Sequence, residues 1–326
     1  MTFCQVQAQP PMTEWTQVQK LTIQPDEAGQ RLDNYIARHF RHLPRNAVYR
    51  LIRSGQVRVN GGRRQARARL SGGDEVRLPP VLAPDAAEVP DAGAALREAL
   101  AGAVLYESKD VLVLNKPAGL AVHGGSGVAL GVIEVLRQAR DDRFLELAHR
   151  LDRGTSGCLA IARTRPSLRF LQQAFRDRQV RKRYRLLVSG RWPKARLTVA
   201  VPLERYETAS GDRRVRVSHQ GQPSRTDFER VASGDGYSEL IAHLHTGRTH
   251  QIRVHAAHTG FPILGDDKYC RREQREPWLQ LGMNQLALHA ERLRLPGPDG
   301  ALIDVSAPRP DRFARLAGLA AALSSG

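Results

Sequence analysis

Residues 79 to 98 break the chain in two. Pro79, Pro80, Pro84 and Pro90 each remove a backbone donor, alanines fill much of the rest, and Asp85, Glu88, Asp91 and Glu98 supply charge. Neither a central strand nor a core-facing helix is expected from the proline-rich part, because each proline forfeits a hydrogen bond that such elements need. One continuous core is thereby excluded. The 326 residues agree, since roughly 150 residues per domain implies two domains. The expected division is a Gln-rich polar tail over 1–23, a small module over 24–82, a linker over 83–98 and a body over 99–326.

In the module, Leu32, Tyr35, Ile36, His39 and Phe40 recur at helical spacing and form one apolar stripe. Pro44 suits the first turn of a second helix, in which Ala47, Val48, Leu51 and Ile52 share a face until Ser54-Gly55 ends it. Val57 and Val59 then alternate with polar residues up to the turn pair Asn60-Gly61, and a further strand is expected over 75–78. The module therefore reads as two short helices on a hairpin sheet, a small α/β unit. In the body, strands are expected over 111–114, 184–188, 215–218, 226–231, 238–245 and 286–294, and helices over 128–140 and 166–178. Several of these strands are separated only by turns. The fold class is therefore α+β, with a mixed, mainly antiparallel sheet and flanking helices.

Charge points to a partner. The chain holds 50 Lys and Arg against 33 Asp and Glu, a formal net charge of +17. Such an excess favours an acidic polymer, although a bias of 44 Arg to 6 Lys can also follow from a GC-rich gene. Location decides between them: the ten arginines from Arg38 to Arg69 are accompanied by no Asp or Glu, and base composition would not remove the acids. Arg38, Arg41, Arg45, Arg50, Arg53, Arg58, Arg63 and Arg64 are accordingly expected on phosphates.

The three cysteines, Cys4, Cys158 and Cys270, are too few and too scattered for a disulfide framework or a metal knuckle. The first twenty residues lack the basic start and apolar stretch of a secretion signal, and no run approaches a membrane span. A cytoplasmic protein with no membrane partner is expected. No heptad or exposed apolar stripe appears, so a monomer is expected.

Three stretches concentrate chemistry. The first is His149-Arg150-Leu151-Asp152-Arg153-Gly154-Thr155-Ser156-Gly157, which runs into the apolar strand Cys158-Leu159-Ala160-Ile161-Ala162. Residue types leave two readings of Asp152 open: a turn aspartate accepting from the amides of Gly154, Thr155 and Ser156, or an ionised carboxylate kept charged by flanking arginines. The second runs from Arg163 to Arg185, with nine bases against Asp177 and with Tyr184 near its end. Phosphate neutralisation beside a stacking ring suits single-stranded RNA, while a solvated helix face with Tyr184 in the core would look the same. The third is Thr246-Gly247-Arg248-Thr249-His250-Gln251-Ile252-Arg253-Val254-His255. Its histidines lack an Asp, Glu or Cys to complete a ligand set, so no metal is expected. A helix opening after Gly247, its amides and arginines facing an anion, is the better reading.

Gly124-Gly125-Ser126-Gly127 lacks the lysine of a phosphate loop, so no nucleotide cofactor is expected, and no Ser or Cys sits in a nucleophile elbow. Two classes remain from the residues: a cofactor-free enzyme with a lone Asp nucleophile, or an RNA-binding protein without chemistry.

Together these blocks resemble the bacterial ribosomal RNA pseudouridine synthases of the Rlu type. His149-Arg150-Leu151-Asp152 with Thr155-Ser156-Gly157 looks like the catalytic motif of that family, Lys182-x-Tyr184 like its second motif and Thr246 to His255 like its third. The module from Arg31 to Leu78 is similar to an S4 RNA-binding domain. Three more stretches look closest to the C-type branch, which modifies three separated uridines of large-subunit rRNA: His123 to Gly127 with Gly131-Val132-Ile133-Glu134, Arg214 to Ser218 with Gly221-x-Pro223-Ser224, and Gly265-Asp266-Asp267-Lys268-Tyr269. A D-type or tRNA-directed enzyme is the alternative within the family, and a non-catalytic rRNA-binding protein the alternative outside it. Gly154 stands where many members carry Asp, and Cys158 and His245 are less usual choices.

The resemblance implies a cofactor-free isomerisation on 23S rRNA with Asp152 as nucleophile. It implies that Arg253 pairs with Asp152, that Tyr184 stacks on the extruded uracil and takes the C5 proton, and that Arg150 fills the space which the flipped base leaves. Lys182 and Arg248 are expected against RNA.

Overall fold

The computed structural model describes residues 17–39, 45–80, 90–124, 130–209 and 211–313. They belong to two compact units, divided in sequence between Pro90 and Asp91.

The first unit comprises β1 (Gln19–Thr22), α1 (Leu32–His39), α2 (Arg45–Arg53), β2 (Arg58–Val59) and β3 (Glu75–Leu78). The strands form one antiparallel sheet in the order β1-β3-β2. Leu32, Tyr35 and Ile36 of α1 and Val48 and Ile52 of α2 pack with Val57, Val59, Val76 and Leu78, so the stripes read from the sequence are the core of the unit. Phe40 and Pro44 lie outside the described residues. One strand differs from the expectation: β1 occupies the end of the stretch counted as tail. Its residues alternate between half-buried and exposed on a sheet edge, so no apolar run marks it.

The second unit opens with α3 (Ala94–Ala101), whose first five residues fall inside the expected linker. The last proline of that segment is Pro90, and beyond it Leu96 and Leu100 supply an apolar face that packs into the main core with Val132 and Leu136. The elements that follow are β4 (Val104–Glu107), β5 (Val111–Lys116), α4 (Val132–Ala139), β6 (Glu146–Leu147), β7 (Ser156–Ala162), α5 (Arg165–Arg176), β8 (Arg181–Ser189), β9 (Arg196–Val199), β10 (Leu203–Glu207), β11 (Arg213–Val217), β12 (Thr226–Gly234), β13 (Tyr237–Leu244), α6 (Gln251–His258), α7 (Arg272–Gln280), β14 (Leu288–Pro296) and β15 (Leu302–Ser306). The helix expected over 128–140 is described from Val132 onward, and residues 125–129 lie outside the described residues.

The large sheet runs β4-β5-β7-β14-β8-β13-β12-β9, with β6 on β7 and β15 on β14. Only β7 and β14 pair in parallel, so the sheet is mixed and mainly antiparallel. β7 is buried along its whole length and apolar from Cys158 onward because both of its faces are covered: Leu159 and Ile161 enter one core with α4, and Cys158, Ala160 and Ala162 enter another with Leu171 and Ala174 of α5. At Gly157, φ is +104° and an added Cβ would lie 2.3 Å from the carbonyl oxygen of Ala290. Glycine is therefore required for β7 to approach β14, and that approach fixes the strand whose preceding turn bears Asp152. β10 and β11 form a separate antiparallel hairpin. Among the described residues no helix is long and apolar enough to cross a membrane.

Candidate active site

The turn between β6 and β7, the middle of β8 and the start of α6 converge on a cleft of about 1130 Å³. Its wall includes Asp152, Tyr184, Lys182, Arg248, Arg253 and Arg150, so the three sequence blocks line one site.

Asp152 sits at the turn, whose backbone is closed by the Thr155 N–H donating to the Asp152 carbonyl oxygen at 3.0 Å. Its carboxylate accepts no hydrogen bond from the described residues and is 25% exposed. Of the two readings open in the sequence, the turn aspartate whose side chain is consumed by local amides is not what the backbone builds. Oδ2 faces Nη1 of Arg253 at 3.7 Å and Oδ1 faces Nε2 of His250 at 3.9 Å. Both are longer than hydrogen bonds; the first is an ion pair, and the second would be one only with the imidazole protonated.

Arg253 is not primarily the partner of Asp152. Its Nε and Nη2 donate to Asp266 at 2.8 and 2.7 Å, Nη2 also reaches Asp267 at 3.2 Å, and the guanidinium lies 5.1 Å from the centre of the Tyr269 ring. Burial lowers its pKa, but Asp266 and then Asp152 overcome this and hold it above the ordinary arginine value. Bidentate anchoring by the fully buried Asp266 leaves Nη1 as the arm that points at Asp152. Asp266 follows Gly265, where φ is +71° and an added Cβ would stand 2.0 Å from the carbonyl oxygen of Gln285. The sequence singled out this Gly-Asp-Asp stretch without assigning it the arginine, because an ion pair across 13 residues leaves no periodic trace.

Tyr184 is buried in β8, flanked across the ladders by Ala242 and Ala290, whose small side chains leave its ring room. Burial, and then the charge of Asp152, push the phenol well above its usual pKa, so it is a neutral hydroxyl at rest. Lys182 is half-buried with Nζ 5.9 Å from the centre of the Phe175 ring, and burial lowers its pKa. Arg150 is exposed on the cleft rim and its guanidinium has no acceptor among the described residues. Arg248, also exposed, donates from Nε to the Pro223 carbonyl oxygen at 3.3 Å. His149 is also in the cleft wall, but its Nε2 is taken up by the backbone, accepting the Ala160 N–H at 3.0 Å, and burial pushes its pKa down to about 3.

The helix expected after Gly247 begins at Gln251, following His250 in the left-handed region with φ 53°. Gln251 holds the intervening loop through its amide. Oε1 accepts from Thr246 Oγ1 at 2.7 Å and from the Arg248 N–H at 3.0 Å, while Nε2 donates to the Arg225 carbonyl oxygen and to Thr226 Oγ1, both at 2.9 Å. A second, smaller cavity of about 330 Å³ adjoins the site and shares Arg205, Gly247, Arg248 and Thr249 with it.

Two groups in the site were not expected from the sequence. Lys116 ends β5 with no exposed surface and donates from Nζ to the carbonyl oxygens of Pro117, Leu120 and Arg153. His250 faces the carboxylate of Asp152. A lone lysine before a proline reads as a strand end and leaves no signal, whereas His250 lies in the third stretch, whose histidines are weighed in the sequence only as metal ligands and given no other role. No cluster of metal-ligating side chains occurs among the described residues.

The basic module of the first unit is more divided than expected. Arg50, Arg53, Arg63 and Arg64 are exposed. Arg38 is committed to Glu27 at 3.1 Å, and half-buried Arg58 donates to the Gly61 carbonyl oxygen at 3.3 Å. Arg41 and the side chain of Arg45 lie outside what is described.

Similarity to known proteins extends over most of the chain. The family model described as RNA pseudouridylate synthase matches residues 110–258, and the S4 domain model matches residues 30–76. The chain is 44% identical over 305 residues to ribosomal large subunit pseudouridine synthase C of Pasteurella multocida (strain Pm70), covering 92% of this chain and 93% of that one. It is 43% identical over 309 residues to the protein of the same name from Escherichia coli O157:H7, covering 93% and 97%. Among solved structures it is similar to human RNA pseudouridylate synthase domain containing 4, with a TM-score of 0.56 and 28% identity over 68% of this chain and 93% of that one. Human RNA pseudouridylate synthase domain containing 1 gives a TM-score of 0.56 and 29% identity over 64% and 83%.

Proposed function

The chain belongs to the Rlu-type pseudouridine synthases that carry an S4 domain, and from that premise we propose that it isomerises uridines of large-subunit ribosomal RNA with Asp152 as the nucleophile. The enzyme is an isomerase, and its reaction breaks the C1'–N1 bond of uridine and rejoins C1' to C5 without net redox change. The observation that carries the assignment is the Asp152 carboxylate: it opens onto the cleft, takes no hydrogen bond from the described residues, and is faced by an arginine whose other arm is fixed. A free, oriented carboxylate beside a permanent cation suits a nucleophile attacking the base or the sugar.

The remaining residues divide the work. Tyr184 lines the cleft with a buried ring suited to stacking on the extruded uracil, and its hydroxyl is the candidate to relay the C5 proton. The target base has to leave its stack, at a cost of a few kcal/mol, and Arg150 on the rim provides a planar cation to occupy the gap. Lys182, Arg205 and Arg248 line the cleft, where their cations suit the phosphates of a bound RNA. Exposed arginines of the S4 domain add affinity through phosphates and no chemistry. The relatives' names favour the C-type branch, and the resemblance read from the sequence at 123–134, 214–224 and 265–269 points the same way; three separated uridines are the activity which that branch implies.

The test is pseudouridine mapping on unmodified large-subunit rRNA with wild-type protein and with Asp152→Asn. Three separated sites, lost in the variant, are expected. Modification of a single hairpin would assign D-type specificity instead. Tight binding without product from the wild type would leave only an RNA-binding role.

A further inference from the structure

His250 stands in no assigned role, yet its hydrogen bonds dictate where its proton resides. The Tyr269 hydroxyl accepts the Val215 N–H at 3.0 Å, so its own proton is free to be given. Its other partner is Nδ1 of His250 at 2.7 Å. Burial pushes the Tyr269 phenol up to about 12 and lowers the pKa of His250, with Asp152 opposing the latter, so the pair rests as a protonated phenol and a neutral imidazole. A phenol that donates to Nδ1 leaves the imidazole proton on Nε2. That nitrogen is the one facing Oδ1 of Asp152 at 3.9 Å.

The backbone pays attention to this placement as well. His250 has φ 53°, a conformation uncommon outside glycine, and the neighbouring Gln251 uses both ends of its amide to hold the loop there. Strain held by a dedicated clamp at the mouth of a site is a reason to ask what the strained side chain does. Here the two oxygens of Asp152 meet different groups, a fixed cation on Oδ2 and a neutral N–H on Oδ1.

We propose that His250 is a positioning residue, locked by Tyr269 with its proton on Nε2, which fixes the rotation of the Asp152 carboxylate for attack. At 3.9 Å the Nε2–H makes no hydrogen bond with Oδ1 in this arrangement; it acts on the carboxylate through its dipole, and closes to a bond on small rotation, without adding a second full charge that would weaken the nucleophile. The inference rests on the reading of Asp152 as the nucleophile.

Single-turnover kinetics with a uridine-containing rRNA fragment, alongside direct RNA binding, tests it. His250→Ala is expected to lower the chemical rate about 10- to 100-fold, the scale of a misplaced reacting group, with RNA affinity within about two-fold. His250→Asn, which tolerates positive φ and restores an N–H, is expected to recover part of the rate. Tyr269→Phe is expected to slow the wild-type enzyme and to add no further loss to His250→Ala, because it acts through the imidazole. Additive losses, or weaker RNA binding with an unchanged rate, would overturn the inference. Should His250→Ala fail to fold by circular dichroism, the Asn and Phe variants still decide the matter. Loss of activity in Asp152→Asn together with a full rate in every His250 variant would sink this inference alone, whereas an active Asp152→Asn would remove the reading beneath it.

Discussion

Lys116 donates from Nζ to the carbonyl oxygen of Arg153 at 3.1 Å, tying the end of β5 to the residue that follows Asp152. Its other two N–H groups go to the carbonyl oxygens of Pro117 and Leu120, each at 2.7 Å. Three acceptors call for the ammonium form, and nearby Asp152 favours it, against a burial effect that pushes the pKa down to about 7. Lys116→Met keeps the volume and leaves the carbonyl oxygens of Pro117 and Leu120 without a donor, while that of Arg153 keeps the Gly119 N–H at 2.9 Å. It is expected to lower stability by roughly 2–4 kcal/mol in urea unfolding and to slow single-turnover chemistry while the protein is still folded. Unchanged kinetics at full occupancy would show that the tether does not position Asp152.

Tyr184→Phe separates stacking from proton transfer. The ring is held by β8 and its neighbours Ala242 and Ala290, so phenylalanine fits the same space. The hydroxyl is neutral at rest because burial and Asp152 raise its pKa, so it can take the C5 proton only as a relay, passing its own proton to a further acceptor such as cleft water as the new one arrives. Turnover is expected to fall by about 10²-fold or more with KM nearly unchanged. Wild-type turnover in this variant would confine Tyr184 to stacking.

The legible and illegible parts of this protein differ in physical kind. Asp152, Tyr184 and Arg253 could be singled out because each lies in a dense local motif, and the strands over β5, β7, β8 and β13 could be read because buried ladders demand apolar runs. β1, β4, β9 and β15 were missed, since short strands toward the sheet margins are half-exposed and tolerate polar residues. Asp266, Lys116 and His250 were missed for another reason: their roles come from partners 13, 37 and 98 residues away, at Arg253, Arg153 and Asp152. Sequence spacing records what a helix or strand does with its own residues, and it is silent on which side chains a sheet brings together.

Acid should destabilise the catalytic unit before it protonates most carboxylates. His255 is fully buried between Thr226 Oγ1 and Ser224 Oγ, each at 2.9 Å, and His289 is buried against Ser156 Oγ at 2.9 Å. Burial pushes both down to about 4. The unfolded chain, with ordinary histidines near 6.5, takes up these protons first as pH falls. Stability is therefore flat above 6.5 on their account and is lost between 6.5 and about 4, on the order of 3 kcal/mol for each histidine. Urea midpoints measured from about pH 7.5 to about pH 5 should fall, and a variant with Gln at 255 should show a shallower slope, though a lower midpoint at neutral pH. Parallel slopes would show that His255 is not buried neutral.

Phosphate contacts from the S4 domain should appear in the salt dependence of RNA binding. Arg50 and Arg53 are exposed on α2, whereas Arg38 is paired with Glu27. Arg50→Ala and Arg53→Ala are each expected to weaken binding and to reduce the slope of log K against log salt by about 1. Arg38→Ala should leave that slope unchanged while lowering stability slightly, through loss of a partly buried pair. A changed slope for Arg38→Ala and none for Arg50→Ala would put the RNA on another face of the domain.

Arg150 is the residue whose effect should depend on the shape of the substrate. It is exposed on the rim of the cleft, next but one to Asp152, and its guanidinium has no acceptor among the described residues. A plane of that size can replace a base in the stack, which matters only where a stack exists to be broken. On a structured rRNA hairpin, Arg150→Ala is expected to lose roughly a few kcal/mol of transition-state stabilisation, the cost of unstacking one base. On a flexible single strand bearing the same uridine, the loss should be much smaller, since no vacancy needs filling. The check is the ratio of kcat/KM on the two substrates for wild type and variant. A common factor on both would assign Arg150 to phosphate contact, because a charge acts on either strand alike.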